Sequence, residues 1–184
     1  LWGMEHAVNE HGVMVGNEKL YVRPARNERL ARRDGLLGMD VVRLVAERSR
    51  DATHGVDIAT SLIEEYGQRG VASAADGIGY SSSFLISDAT EAYVVETNDD
   101  LWVAGRYDAA ATISNRIGLG AAEVQRAARS CAGVDPHTWI DPNAVLGRAD
   151  RRLGCTIPYA TDANADPRSA AALLRHHGHG SWGP

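Results

Sequence analysis

The sequence predicts an α+β fold, because strand-like segments, two amphipathic helices and a run of short strands follow one another in that order. Apolar residues spaced three or four apart predict helices over 38–49 and 55–67. Four short apolar segments between residues 81 and 115, separated by turn-prone sequences, predict the later strands. Turns this tight join antiparallel neighbours, so we expect a β-meander.

A β-hairpin is predicted at the start of the chain. Residues 2–8 and 13–16 have the composition of strands, and the polar sequence from Asn9 to Gly12 joins them. Gly12 would supply the positive φ that such a turn requires. The Arg-rich residues 22–35 are predicted to form an exposed loop.

The final third of the chain is predicted to be mostly helical. We expect helices over 120–132, 144–153 and 166–178, the last of which opens with Asp166 as its cap and Pro167 in its first turn. Neither internal repeats nor a low-complexity linker divides the chain. We therefore interpret residues 1–184 as one domain.

Composition narrows the classes of function. The chain has 184 residues, 44% of them hydrophobic, and a net charge of −5 with scattered basic residues, which argues against nucleic-acid binding. Its apolar segments fall short of the ~20 residues that span a bilayer, so no membrane is expected as a partner. Cys131 and Cys155 accompany no secretory signal, which favours a reduced pair and a cytoplasmic location.

Metal and cofactor sites are not predicted. The sequence lacks a dinucleotide fingerprint, a P-loop, an HExxH motif and a GxSxG motif. Three histidines near the end of the chain, His176, His177 and His179, would bind a transition metal only adventitiously. Cys131 and Cys155 are interpreted as small packed side chains rather than nucleophiles.

Polar side chains in or beside strands are the candidate chemical groups. Asn9 and Asn115 each end a predicted strand, and two amide donors could converge on an oxyanion if those strands are adjacent. Turn geometry alone also explains each asparagine. The carboxylates of Glu5, Glu18 and Glu96 are uncommon in strands, and exposure to solvent is the simpler interpretation of each.

Five long motifs resemble one family in order and approximate spacing. They are WGMEHAVNEHGVMVGNE (2–18), GLLGMDVVRLVAERS (35–49), SLIEEYGQ (61–68), SSFLISDATEAYVVET (82–97) and ISNRI (113–117). The sequence resembles the secernin-like dipeptidases, peptidase family C69, which are relatives of the choloylglycine and penicillin V acylases among the N-terminal-nucleophile hydrolases. The resemblance is close over residues 1–117 and looser over 118–184.

The resemblance implies an αββα sandwich, in which two antiparallel sheets lie between helical layers. It also implies hydrolysis of a small peptide by an N-terminal Cys whose own α-amino group serves as the base. Asn9 takes the position of the oxyanion donor, and Asn115 that of a residue that fixes the nucleophile and the substrate. Trp2, Glu5 and Glu18 are the expected substrate contacts. Cofactors are not implied.

The sequence departs from the family at the nucleophile. The family's catalytic Cys precedes the WGME segment, and Leu1 offers no nucleophilic atom. We therefore expect a domain truncated at both ends and inactive alone, which another chain or a homo-oligomer would complete. Two alternatives stay open, a non-enzymatic secernin-like regulatory protein and an acylase of the choloylglycine or penicillin type.

Overall fold

The computed structural model describes residues 2–23, 35–70, 79–108, 110–162 and 166–175. The strands are β1 (His6–Val8), β2 (Met14–Leu20), β3 (Ser81–Ser87), β4 (Ala92–Asn98), β5 (Leu101–Tyr107) and β6 (Arg126–Ala127). The helices are α1 (Gly38–Arg48), α2 (Ala52–Tyr66), α3 (Gly147–Ala160) and α4 (Pro167–Leu174), with 3-10 turns at Arg129–Cys131 and Pro136–Trp139.

The strands form one antiparallel sheet in chain order, β1-β2-β3-β4-β5-β6. Strands β3 to β5 are joined by tight turns, and Asn98 pairs with Leu101 across the turn between β4 and β5. The predicted meander is therefore confirmed for its first three strands. The two sheets implied by the family resemblance are not seen, since the described residues contain only this one sheet.

The predicted hairpin joins β1 to β2. Val8 pairs with Met14, and the Gly12 backbone has φ +78°, the left-handed conformation that glycine adopts without strain. Strand β1 is shorter than predicted and covers three residues. Before it, the Trp2 ring stacks on the Arg43 guanidinium, 4.3 Å from the ring centroid, instead of joining the sheet.

Helices α1 and α2 cover one side of the sheet, which we call the helix face. Side chains alternate along each strand, so Phe84 and Ile86 of β3 share this face with Val95 of β4. They form the core with the buried sides of the two helices, at Val41, Val42, Val45, Val56, Ala59 and Ile63. As predicted, α2 ends at Gly67, which has φ 71°.

The opposite side of the sheet carries the alternate side chains, and we call it the cavity face. Residues 110–119, α3 and α4 lie over it. The contact is made through isolated hydrogen bonds, such as the one that the Ser114 hydroxyl donates to the Ala149 carbonyl at 3.0 Å. Helix α4 has the predicted cap, since the Asp166 carboxylate accepts from the Ser169 amide, and Pro167 follows it. None of its described residues is fully buried.

Two predicted elements are wrong. The predicted strand at 110–115 is reduced to an isolated bridge between Ser114 and Arg116, because this segment leaves the sheet and crosses the cavity face. The predicted helix at 120–132 is replaced by a turn, the short β6 and a 3-10 turn. The edge of β5 offers unpaired backbone groups, and Gln125 and Ala128 donate their amides to it. That tertiary pairing outweighs the helical propensity of an alanine-rich segment.

Helix α3 starts later and extends further than the predicted 144–153. The Arg-rich loop lies mostly, and the three histidines near the end of the chain lie wholly, outside the described residues. None of the described helices is both long and apolar enough to cross a bilayer.

Candidate functional site

The candidate site lies on the cavity face, where polar side chains replace the apolar ones of a usual core. Glu18 of β2 is paired with Ser83 of β3, and Ser83 with Glu96 of β4. Directly opposed residues on one face have their Cβ atoms about 5 Å apart. Two carboxylates with a hydroxyl between them therefore form a row across the centre of the sheet.

Glu96 is 1% exposed, so the expectation that it faces solvent is wrong. Its carboxylate accepts the Gly118 amide at 2.5 Å and the Leu119 amide at 3.1 Å, which ties residues 117–119 to the sheet. Burial raises the pKa of Glu96 to about 7, against the opposing effects of these two hydrogen bonds and of Arg116. A carboxyl group with this pKa can donate or accept a proton near neutral pH.

Ser83 is fully buried, and its hydroxyl has no hydrogen-bond partner within the described part of the chain. A buried polar atom without a hydrogen-bond partner lowers the stability of the fold by about 1–3 kcal/mol, so a hydrogen bond to a bound water or ligand atom would be stabilising. Ser83 is therefore the buried centre of this row of polar side chains.

Glu18, Asn115 and Arg152 form a continuous chain of hydrogen bonds. The Asn115 amide donates to Glu18 Oε2 at 2.7 Å and to the Lys19 carbonyl at 2.9 Å, and its oxygen accepts from the Arg152 guanidinium. An anionic and a cationic side chain are thereby held on either side of one neutral amide.

Three adjoining cavities of about 210, 370 and 190 Å³ separate the sheet from α3 and α4. Glu96 lines the first, Leu85 the second, and Glu18 and Arg152 the third. Ile113 borders all three, so they are parts of one interlayer space. The site thus combines apolar walls with a few charged groups, as small-molecule sites do.

Asn9 lies away from this site, at the C-terminal end of α1. Its amide nitrogen donates to the Ala46 carbonyl at 3.0 Å and to the Ser49 carbonyl at 2.7 Å, while its oxygen accepts the amides of His11 and Val13. Asn9 therefore ties the hairpin to the helix face. It does not converge with Asn115, which contacts the cavity face.

Both asparagines use their two N–H donors within the protein, as the bonds above show. In this arrangement neither offers a free donor to an oxyanion. The oxyanion role of Asn9 stays a prediction, and it would require the bonds to α1 to open.

Trp2 and Glu5 also lie apart from the cavities. Trp2 is half exposed and stacks on Arg43, and Glu5 is exposed, with only its backbone carbonyl engaged by the Asn17 amide. Of the three predicted substrate contacts, only Glu18 reaches the interlayer space.

The two cysteines differ in accessibility. Cys131 is 1% exposed, and burial raises the pKa of its thiol, which makes it a poor nucleophile. Cys155 is half-buried on α3 and lines the cavity that holds Glu18 and Arg152. Both thiols are free.

Sequence reasoning missed Ser83, Arg152 and Cys155 as members of this site. Side chains alternate between the two faces of a strand, so SSSFLIS puts Ser83 on the face that Phe84 does not occupy. That pattern could have indicated a polar face. Arg152 and Cys155 gave no such indication, because their approach to Glu18 depends on the packing of α3.

Comparison of the chain with protein-family models finds no model that matches it. Among the described residues, no three His, Cys, Asp or Glu side chains are grouped closely enough to hold a metal ion.

Proposed function

We propose that this chain forms the substrate-binding part of a secernin-like cysteine dipeptidase, an enzyme that hydrolyses the amide bond of a small peptide. The observation that carries the proposal is the cavity face, where a carboxylate and a guanidinium border a cavity about the size of one amino acid, with two further cavities beside it. A dipeptide has an ammonium at one end and a carboxylate at the other. Glu18 would bind the ammonium, and the rest of the peptide would extend into the adjoining cavities.

The proposed fold is the αββα sandwich of the N-terminal-nucleophile hydrolases. A polar, loosely covered sheet face supports it, because in such a sandwich this side would face a second sheet across the substrate site. The helix face, covered by α1 and α2, corresponds to one outer layer. The free state of both cysteines agrees with a cytoplasmic location.

In the proposed reaction, the α-amino group of a cysteine takes the thiol proton, and the thiolate attacks the peptide carbonyl. The C–N bond then breaks, the amine of the second residue leaves with that proton, and water hydrolyses the acyl-enzyme to release the first residue as a carboxylate. The family resemblance places that cysteine upstream of Trp2, so it would come from sequence outside residues 1–184. Asn115 would position the substrate by fixing Glu18 and Arg152. Glu96 lines the neighbouring cavity and could exchange a proton with bound water.

The test compares the 184-residue chain with the product of the gene expressed with the coding sequence that precedes Leu1. Both are assayed against a dipeptide panel, penicillin V and glycocholate. We expect dipeptide hydrolysis only by the longer protein, lost when its upstream Cys becomes Ala and kept in a Cys131→Ala variant, whose thiol lies outside the three cavities.

Hydrolysis by the 184-residue chain that disappears in Cys155→Ser would contradict the proposal. Cleavage of penicillin V or glycocholate in preference to dipeptides would favour an acylase. A folded longer protein that cleaves none of these substrates would favour the non-enzymatic alternative.

A further inference from the structure

The third cavity on the cavity face, which we call the charged cavity, is lined by Glu18, Ile113, Ser114, Arg152, Cys155, Thr156 and Leu173. It is half open to solvent and has a volume of about 190 Å³. A single water needs roughly 10–15 Å³ of such space, so the charged cavity can hold a ligand of on the order of ten non-hydrogen atoms. That is the size of one amino acid.

Glu18 and Arg152 do not neutralise each other directly. Asn115 stands between them, donating to the carboxylate and accepting from the guanidinium. Within the described chain, Glu18 Oε1 accepts no hydrogen bond, and Arg152 donates only to Asn115. Each charged group therefore keeps free hydrogen-bonding capacity beside the same cavity.

The spacing of the two charges is set by one amide group and two hydrogen bonds. The ammonium and carboxylate of an α-amino acid are separated by a single carbon atom. An amino acid whose ammonium donates to Glu18 and whose carboxylate accepts from Arg152 would therefore bridge the two side chains as Asn115 does, through one short group and two hydrogen bonds. The geometry matches a zwitterion better than an amine or a carboxylate alone.

The remaining lining is mostly apolar. Ile113 and Leu173 offer aliphatic surface, and Thr156 and the Cys155 thiol complete the wall. Burial of an aliphatic side chain there would add to the affinity supplied by the two charged contacts. A polar or charged side chain would find few partners.

We propose that the charged cavity binds an α-amino acid with an aliphatic side chain, its ammonium at Glu18 and its carboxylate at Arg152. This inference deepens the proposed function, since such amino acids are products of dipeptide hydrolysis. Binding itself requires no nucleophile, so the 184-residue chain can be tested directly.

The experiment measures binding of four probes to the 184-residue chain by calorimetry. L-leucine carries both charges, L-leucinamide lacks the carboxylate, 4-methylpentanoate lacks the ammonium, and the dipeptide Leu-Ala tests the longer zwitterion. We expect leucine to bind about 10- to 100-fold more tightly than leucinamide or 4-methylpentanoate, because each lacks one charged hydrogen-bonded contact.

Two variants assign each charge to its partner. In Arg152→Met, leucine and leucinamide should bind equally, because the carboxylate has lost its partner. In Glu18→Gln, leucine and 4-methylpentanoate should bind equally. Arg151→Met removes the same charge from the neighbouring exposed position of α3 and should leave all four affinities unchanged.

Cys155 provides an independent measurement within the same cavity. Leucine should slow alkylation of the Cys155 thiol by iodoacetamide about tenfold at saturation, and buried Cys131 should stay unreactive with or without leucine. Glu18→Ala, with its melting temperature checked, replaces Glu18→Gln if the latter fails to fold.

The proposal is overturned if leucine does not bind at 10 mM, or if Arg152→Met weakens leucine and leucinamide by the same factor. Leu-Ala should bind more weakly than leucine, because its two charged groups are further apart, and tighter binding of Leu-Ala than of leucine would also overturn the proposal. If leucine binds as expected while no form of the protein hydrolyses dipeptides, the proposed function fails and this inference stands.

Discussion

The two faces of the central sheet are built from the same strands and differ in almost every physical respect. On the helix face, Phe84, Ile86 and Val95 are fully buried against α1 and α2. One residue along, on the cavity face, Ser83 is buried without a partner and Leu85 is only partly buried beside a cavity of about 370 Å³. A single strand thus stabilises the fold with one set of side chains and leaves the other free for binding.

Close packing on the helix face shows how little freedom that side has. A Cβ added to Gly55 of α2 would lie 2.9 Å from Ile86 Cγ2 and 3.3 Å from Val45 Cγ1. The helix therefore needs glycine to approach the sheet this closely. Nothing comparable fixes α4, which has no fully buried residue. Stability and binding capacity are therefore divided between the two faces of the sheet.

The largest expected effect contrasts adjacent residues of β3. Phe84→Ala should lower the free energy of unfolding by about 4 kcal/mol, because it leaves a cavity in a well-packed core. Leu85→Ala should cost roughly 1 kcal/mol, because Leu85 is only partly buried beside existing space. Urea unfolding of both variants, compared at equal slope, measures the difference. Equal losses would show that the cavity face is as tightly packed as the helix face.

The second prediction concerns pH and the carboxyl group of Glu96. Its pKa is about 7 in the folded protein and 4.5 in the reference state, so the folded protein holds a proton there that the unfolded chain has released. The resulting stability is full below pH 4.5 and is lost as the pH rises through about 7. At 1.36 kcal/mol per pKa unit, the loss is about 3 kcal/mol.

Asp88, on the helix side, supplies a matched control with the opposite sign. Its carboxylate accepts the Ala52 amide at the start of α2 at 2.8 Å, and this bond, with others from Thr90, lowers the pKa of Asp88 to about 2. That stability is present above pH 3.8 and is lost as the pH falls through about 2. Because Asp88 is partly exposed, solvent screening limits it to about 1 kcal/mol.

Urea unfolding between pH 2 and pH 8 should therefore separate the two groups. Glu96→Gln should flatten the decline in stability between pH 4.5 and pH 7, and Asp88→Asn should flatten only the acid limb below pH 4. The assignment to Glu96 would be contradicted if the wild-type protein were more stable at pH 8 than at pH 5 and the Glu96→Gln variant had the same pH dependence of stability.

The helix face could be predicted from the sequence much better than the cavity face. Periodicity located α1 and α2, and alternation with turn residues located β3 to β5, because both patterns reflect burial against a continuous apolar layer. Residues 110–132 were predicted wrongly, since their conformation depends on the free edge of β5 and on the cavity they cross. The charged cavity could not be predicted, because it depends on the path of α3 over the sheet, and no local sequence pattern specifies that path.

The smallest expected effect tests whether the two asparagines share one role or serve the two faces separately. Asn9→Ala removes the bonds to the hairpin turn and to the C-terminal end of α1 and should lower the free energy of unfolding by about 2 kcal/mol. Asn115→Ala removes three hydrogen bonds against the five of Asn9, and one of the three is made with the exposed Arg152, so it should cost less than about 1 kcal/mol. It should nevertheless weaken leucine binding, because Glu18 and Arg152 could then pair with each other. Calorimetry and urea unfolding on both variants separate these outcomes. A loss of leucine affinity in Asn9→Ala at unchanged stability would instead place Asn9 beside the ligand, and the division between the two faces would fail.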